Sequence, residues 1–204
     1  MRVLLVHGLG RTRRSFFLLR RRLVALGHAP ECFSYSASRE RHDAVVERLA
    51  ARLRSLAAVE PAVGLVGHSF GGLLLRQGIA LTPEVTVRHL IMLGTPNRPP
   101  YLARVMYPYL PQRIHVGTCR ACLVDDTWFQ RLPALRVPYT VVAGTAGWRG
   151  SLSPFKGKGN DGLVQVSETL VKDDDHPFLV PTIHSLLMNN ARVHRLIIEK
   201  FEPV

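Results

Sequence analysis

Short apolar runs alternate with helical patterns along the whole chain. Met1–Val6 is a Val- and Leu-rich run closed by His7-Gly8, the pattern of a buried strand. Arg13–Leu26 then places Phe16, Leu19, Leu23 and Leu26 at spacings of three and four, which predicts an amphipathic helix stopped at Gly27. Cys32–Tyr35 reads as a short second strand. Glu40–Ala57 repeats the helical spacing through Val45, Leu49, Leu53 and Leu56. A third strand is expected at Val63–Val66, with a helix following Ser69 through Leu73, Leu74 and Ile79. Val87–Leu93, Pro138–Ala143 and Phe178–Thr182 read as three further strands, and Ala191–Phe201 as a last helix. Strands alternating with helices imply βαβ units, hence about six parallel strands flanked by helices on both faces. Asn97–Leu135 breaks the rhythm: five prolines and weak periodicity predict an irregular excursion over one end of the sheet, holding a helix or two.

Length and composition narrow the class without deciding the chemistry. A chain of 204 residues with 47% hydrophobic and 21% charged residues fits a single domain over 1–204 with a full core. It excludes a disordered tail, a collagen-like repeat and a disulfide-stapled miniprotein. The three cysteines, Cys32, Cys119 and Cys122, are too few for a disulfide framework. The apolar run at Met1–Val6 is too short for a signal peptide or a membrane span, so the expected location is cytoplasmic. Charge is lopsided: 27 Lys and Arg against 15 acids give a net charge of +12. That favours acidic partners such as anionic lipid, nucleic acid or acidic substrates. The arginines cluster at Arg11-Thr-Arg13-Arg14 and Arg20-Arg21-Arg22, without the long, aromatic-interleaved run of a nucleic-acid groove. No nucleic-acid partner is therefore expected; the clusters read first as a solvated face, with a basic rim that meets an anionic membrane surface or acidic esters as the alternative.

The candidate chemistry begins with Gly67-His68-Ser69-Phe70-Gly71-Gly72, set between the apolar Gly64-Leu65-Val66 and the helical Leu73-Leu74-Leu75. Strand, sharp turn and helix form the context that raises a serine hydroxyl above a sheet at a helix N-terminus. Side chains at Gly67 and Gly71 would meet neighbouring backbone in such a turn. His7-Gly8-Leu9-Gly10 follows the first strand, and the backbone N–H of Leu9, with that of Phe70, can form an oxyanion hole. A serine nucleophile needs a base and an acid that orients it. His184, in Thr182-Ile183-His184, is the candidate base, and Asp161, in Gly159-Asn160-Asp161-Gly162, the candidate acid. All three residues follow strands, so a parallel sheet brings them to one edge.

This combination resembles the α/β-hydrolase superfamily, and in particular small lidless bacterial lipases and PGAP1-like esterases. The matching stretches are His7–Gly10, Gly67–Gly72, Leu93–Asn97, Asp161–Val164 and Thr182–His184, spread over essentially the whole chain. After Thr95-Pro96-Asn97 the family usually continues Gly-Ser, whereas Arg98-Pro99-Pro100 follows here. The resemblance implies a three-layer α/β-hydrolase fold with minimal or no lid. It also implies a serine carboxylic-ester hydrolase with Ser69, Asp161 and His184 as its triad, acting on a small-molecule or lipid ester with no cofactor and no metal. An acyltransferase or thioesterase with the same triad, and a hydrolase-fold binding protein with a dormant site, are the alternatives.

Other polar residues read more plainly. Asp173-Asp174-Asp175 lies before a strand of about five residues, which spans roughly 16 Å. That should leave the acidic run at the edge opposite His184, as a solvated loop. Asp125-Asp126 reads as a helix N-cap with its first turn. Cys119-Arg-Ala-Cys122 reads as two thiols in or beside a helix, and His68 as a packing residue. Tyr101, Met106, Tyr107 and Tyr109 could line an acyl channel or belong to the core.

Overall fold

The computed structural model describes residues 1–106, 109, 119–150 and 153–202. Strands β1 (Arg2–Val6), β2 (Ala29–Phe33), β3 (Val63–His68), β4 (Val87–Leu93), β5 (Tyr139–Gly144) and β6 (Phe178–Val180) form one parallel sheet in the order β2-β1-β3-β4-β5-β6. The helices are α1 (Phe17–Ala25), α2 (His42–Ala57), α3 (Phe70–Ala80), α4 (Tyr101–Met106), α5 (Cys119–Cys122), α6 (Asp126–Gln130), α7 (Val166–Thr169) and α8 (Ala191–Phe201). Short 3-10 segments span Arg13–Phe16 and His184–Asn189. No helix among the described residues is long and apolar enough to cross a membrane.

Both faces of the sheet are covered, and the strands show it residue by residue. Leu4, Val6, Leu65, Leu90, Met92 and Val141 point to one side, where they meet Val45, Leu49 and Leu53 of α2 and Phe70, Leu73 and Leu74 of α3. Val3, Leu5, Val66, Ile91, Leu93 and Val142 point to the other, against Phe16, Leu19 and Leu23 and against Val193, Ile197 and Phe201 of α8. Alternating side chains that are apolar at every position are what a doubly covered parallel sheet requires. The α/β-hydrolase architecture expected from the sequence is the one observed.

The differences lie at element ends. The second strand occupies Ala29–Phe33, not Cys32–Tyr35, because β1 pairs with it over its whole length, from Arg2 with Ala29 to Val6 with Phe33. As an edge strand it buries little, so Ala-Pro-Glu-Cys carries no apolar run to announce it. β3 runs on through Gly67 and His68, which pair with Met92 and Leu93. The first helix opens as a 3-10 turn, and Leu26, expected on the buried face, is 51% exposed beyond its end. In the excursion, α4, α5 and α6 are short helices. Asp125 caps α6, its carboxylate accepting from Trp128 N at 3.1 Å.

Sheet order fixes where a site can form. The chain leaves β1 for β2 on one side and then crosses to β3 on the other, so the loops after β1 and β3 diverge around a crevice at the carboxyl ends of the strands. The first loop is His7–Gly10 and the second is the turn at Ser69. A Cβ at Gly71 would lie 2.2 Å from the Val6 carbonyl oxygen and 2.6 Å from that of His7. Only a glycine lets α3 start this close to the end of β1. We expect Gly71→Ala to lower stability by more than about 3 kcal/mol in urea unfolding, since backbone cannot step aside as a side chain can. Gly78→Ala, whose new methyl meets only leucine side chains at 3.2 Å or more, should stay within about 1 kcal/mol of the parent.

Candidate active site

Ser69 sits where β3 turns into α3, with φ 53° and ψ −125°, backbone values that a non-glycine residue adopts only under constraint. Its neighbours impose them. Ser69 N donates to the Leu93 carbonyl at 2.8 Å. A Cβ at Gly67 would come within 2.6 Å of Gly72 backbone, and one at Gly72 would lie 2.1 Å from Thr95 Oγ1. The Ser69 hydroxyl is not used to cap α3, so it stands at the N-terminus of a helix without closing it. Phe70 begins that helix, where the first N–H groups have no acceptor within the helix.

The loop after β1 lies directly against the serine. A Cβ at Gly8 would stand 2.8 Å from Ser69 Cβ and 3.2 Å from the His68 carbonyl. Arg11 N donates to Gly8 O, closing the loop as a turn, while no backbone carbonyl among the described residues takes the Leu9 N–H. Two side chains hold this loop. Tyr35 stacks on the His7 ring at 4.6 Å, and its hydroxyl donates to the His7 carbonyl at 3.0 Å. His7 Nδ1 lies 3.0 Å from Gly8 O. Nδ1–H donates there while Nε2 accepts from Tyr35 N at 3.5 Å, the pattern of a neutral ring, and burial, which pushes the His7 pKa down, favours that state.

Asp161 and His184 meet between the ends of β5 and β6. Asp161 Oδ2 lies 2.7 Å from His184 Nδ1, with both side chains buried. The other carboxylate oxygen accepts from Leu163 N at 3.0 Å and Val164 N at 2.8 Å, and His184 N donates to the Asp161 carbonyl at 2.8 Å. With Nδ1 taken, the imidazole has Nε2 left for chemistry. That contact with Asp161 is the one side-chain hydrogen bond of His184 among the described residues, so a bond to Ser69 is not formed here. Such contacts are often long before substrate binds. His68, the residue before the serine, ties the halves together: its Nε2 donates to the His184 carbonyl at 3.0 Å, and the two rings lie 4.7 Å apart.

The five residues singled out in the sequence, Ser69, Asp161, His184, Leu9 and Phe70, thus lie at one sheet edge. The acidic run lies at the other. Asp175 accepts from the hydroxyl of Tyr139, the first residue of β5, and from Val171 N and Lys172 N, while Asp173 pairs with Arg98. No disulfide joins Cys119 and Cys122; burial pushes their thiols up to about 11 and about 12. Tyr101, Met106 and Tyr109 are exposed, and Tyr107 lies outside the described residues.

Several supports were not read from the sequence. Gly94 (φ 57°) leaves room for the acid–base pair: a Cβ there would lie 3.0 Å from both Asp161 Oδ2 and His184 Nδ1. Gly144 does the same for Asp161 Cβ, at 2.7 Å. Both stand in a Gly-Thr step at a strand's carboxyl end, Leu93-Gly94-Thr95 and Ala143-Gly144-Thr145, a repeated signal the sequence does carry. Buried Asn160 braces the Asp161 turn. Its Oδ1 accepts from Trp148 N and Gly162 N, and its Nδ2 donates to Trp148 O and Lys158 O. Arg76 of α3 donates to Asn97 Oδ1 and Pro133 O, and Asn97 donates to Thr169 O, clamping the Thr95–Asn97 loop. A groove of about 400 Å³ flanks the pair, lined by Trp148, Leu163 and Ile183 beside Asp161 and His184.

The alpha/beta hydrolase family model matches residues 3–198 of the chain. No curated protein matches it. Among solved structures, the mature lipase BlEst2 of Bacillus licheniformis is similar at 18% identity and a TM-score of 0.75, covering 97% of this chain and 90% of that one. The phospholipase PlaB of Legionella pneumophila, in complex with thio-NAD, is similar at 18% identity and a TM-score of 0.71, over 98% of this chain and 57% of that one. The RedJ thioesterase of the prodiginine biosynthetic pathway in Streptomyces coelicolor is similar at 17% identity and a TM-score of 0.61, over 98% and 88%. At these identities the likeness is one of fold.

Buried histidines give the protein's stability a pH signature. Burial lowers the pKa of His7, His68 and His194, all within 5% exposure, while the unfolded chain titrates near about 6.5. Below that value the unfolded state binds more protons, so stability is fully present above it and is lost as pH falls, by up to about 1.4 kcal/mol per pH unit for each histidine. The melting temperature should hold nearly level from pH 7.5 to about 6.5 and fall increasingly steeply below that, and His194→Gln should flatten the fall. A melting temperature constant down to pH 5.5 would contradict the assignment.

Proposed function

The chain belongs to the alpha/beta hydrolase family, and we propose that it is a serine hydrolase of carboxylic esters, of esterase or lipase type. One observation carries the reading. A buried carboxylate–imidazole pair with a 2.7 Å contact stands at the same sheet edge as a serine held at φ 53° on a helix N-terminus.

The reaction follows from the placement of these groups. Ser69 Oγ attacks the ester carbonyl carbon while His184 Nε2 takes the hydroxyl proton. Asp161 keeps Nδ1–H oriented and stabilises the imidazolium that forms. The oxyanion points at the N–H groups of Leu9 and Phe70, each worth roughly 10²–10³ in rate. Collapse breaks the carbon–oxygen bond to the alcohol, which leaves with the proton from His184, and Ser69 holds the acyl group. Water then attacks with His184 as base, and the carboxylic acid departs. Trp148, Leu163 and Ile183, each between 43% and 61% exposed, suit an apolar part of the ester in the flanking groove.

A series of p-nitrophenyl esters from acetyl to palmitoyl, run beside the matching thioesters, tests the class and chain length. Ser69→Ala should abolish turnover with an unchanged melting curve, and near-parental activity would refute the assignment. Asp161→Asn should lower turnover by up to about 10⁴. Replacing Asp173, Asp174 and Asp175 together by Asn should change it less than about tenfold, and the reverse ranking would assign the acid to that run.

A further inference from the structure

Residues 11–26 carry six arginines and no acid. Arg11, Arg13, Arg14, Arg20, Arg21 and Arg22 are all exposed, and none takes part in an ion pair among the described residues. Some arginines elsewhere do find a carboxylate, among them Arg48, Arg52, Arg54 and Arg98; what sets this segment apart is its density of cations with no acid among them. Six like charges packed into twelve residues repel one another and meet no carboxylate among the described residues around them. Their favourable partner is an anionic surface outside the molecule.

The same segment exposes apolar bulk. Phe16, Leu19 and Leu23 face the sheet and are fully buried. On the outer side of α1, Phe17 is 56% exposed, Leu18 50% and Val24 54%. Phe17 and Val24 are seven residues apart and share a face of the helix, with Leu18 beside them. Arg21 lies over the Phe17 ring at 5.7 Å, and Arg20 and Arg22 flank it in sequence. An apolar stripe bordered by guanidinium groups suits the boundary between lipid headgroups and acyl chains, where the ring and aliphatic groups enter while the arginines reach phosphates. A duplex nucleic acid would use the arginines but give Leu18 and Val24 nothing to bury against.

The face also has a place in the molecule. The Arg13–Phe16 turn begins three residues after Gly10 of the loop beside Ser69, and it packs against the His184–Asn189 turn. Leu186 of that turn and Ile183 before it are also about half exposed. Basic and apolar surface therefore continues from α1 to the mouth at His184. We propose that the outer face of residues 11–24 is a docking surface for anionic phospholipid membranes, which would set the carboxyl edge of the sheet against the bilayer. The inference concerns binding and does not require the proposed ester hydrolysis.

Flotation with unilamellar vesicles tests it without any activity measurement. Phosphatidylcholine vesicles containing about 30% phosphatidylglycerol should carry the protein to the top of the gradient, and pure phosphatidylcholine should not. Combined Arg20→Glu, Arg21→Glu and Arg22→Glu should lower partitioning about a hundredfold, at roughly fivefold for each arginine removed. The same three positions changed to Lys should keep it within about threefold, which separates loss of charge from loss of fold. Phe17→Ser with Leu18→Ser should remove whatever binding survives at about 0.5 M salt, where surface attraction is screened. Equal partitioning into both vesicles, none into either, or full binding by the glutamate variant would overturn the proposal. So would tighter binding to a short DNA duplex that is indifferent to the serine substitutions.

Discussion

The close approach of two backbones governs this site. α3 begins so near the end of β1 that only hydrogen fits at Gly71, 2.2 Å from the Val6 carbonyl on the position a Cβ would take. Gly67 and Gly72 close the same turn from the other sides. Once those contacts are made, Ser69 has no relaxed conformation left, and its φ of 53° follows. The strain, of order 1–3 kcal/mol, is carried by a core in which Leu4, Val6, Phe70 and Leu73 are fully buried. The position of the serine hydroxyl is thus set by packing several residues away, and the helix N-terminus comes with it.

The acid–base pair is built by a different means, satisfaction of buried polar groups. Asp161 has both carboxylate oxygens engaged, one by the imidazole and one by two backbone N–H groups. Asn160 beside it makes four hydrogen bonds, which hold the turn against Trp148. His68 donates across to the His184 carbonyl and so links this half of the site to the serine's half. A buried network in which nearly every group has a partner is stiff, because losing any bond leaves a desolvated group behind. His68 Nδ1 and Thr95 Oγ1 are the buried exceptions nearest the serine.

The sheet, and the placement of Ser69, Asp161 and His184 at one of its edges, are legible in the sequence because each has a local cause. Apolar runs at Val63–Val66 and Val87–Leu93 mark central strands that are buried on both faces. The Gly67–Gly72 turn announces itself through glycines that no other residue can replace. The edge strand is not legible, since exposed Ala29 and half-buried Pro30-Glu31-Cys32 have no periodicity to read. The spacing of Leu26 from Leu23 points it at the core, but the helix ends at Ala25 and releases it. What Asn160 and Arg76 hold is not legible, because their partners lie on other strand ends and loops, while Gly94 and Gly144 carry only the shared Gly-Thr step as a sign. The hydrogen bond of His68 to a residue 116 positions away has no local sign, so the sequence shows it only as a packing residue.

The account stands on Ser69 being an activated nucleophile. Treating the folded protein with a fluorophosphonate and mapping the adduct by peptide mass spectrometry tests that directly, with no assumption about substrate. The reagent should modify the peptide containing Ser69 stoichiometrically, fail on Ser69→Ala, and react far more slowly with His184→Ala at an unchanged melting temperature. An unlabelled Ser69 in folded protein, or labelling that persists undiminished without His184, would contradict it.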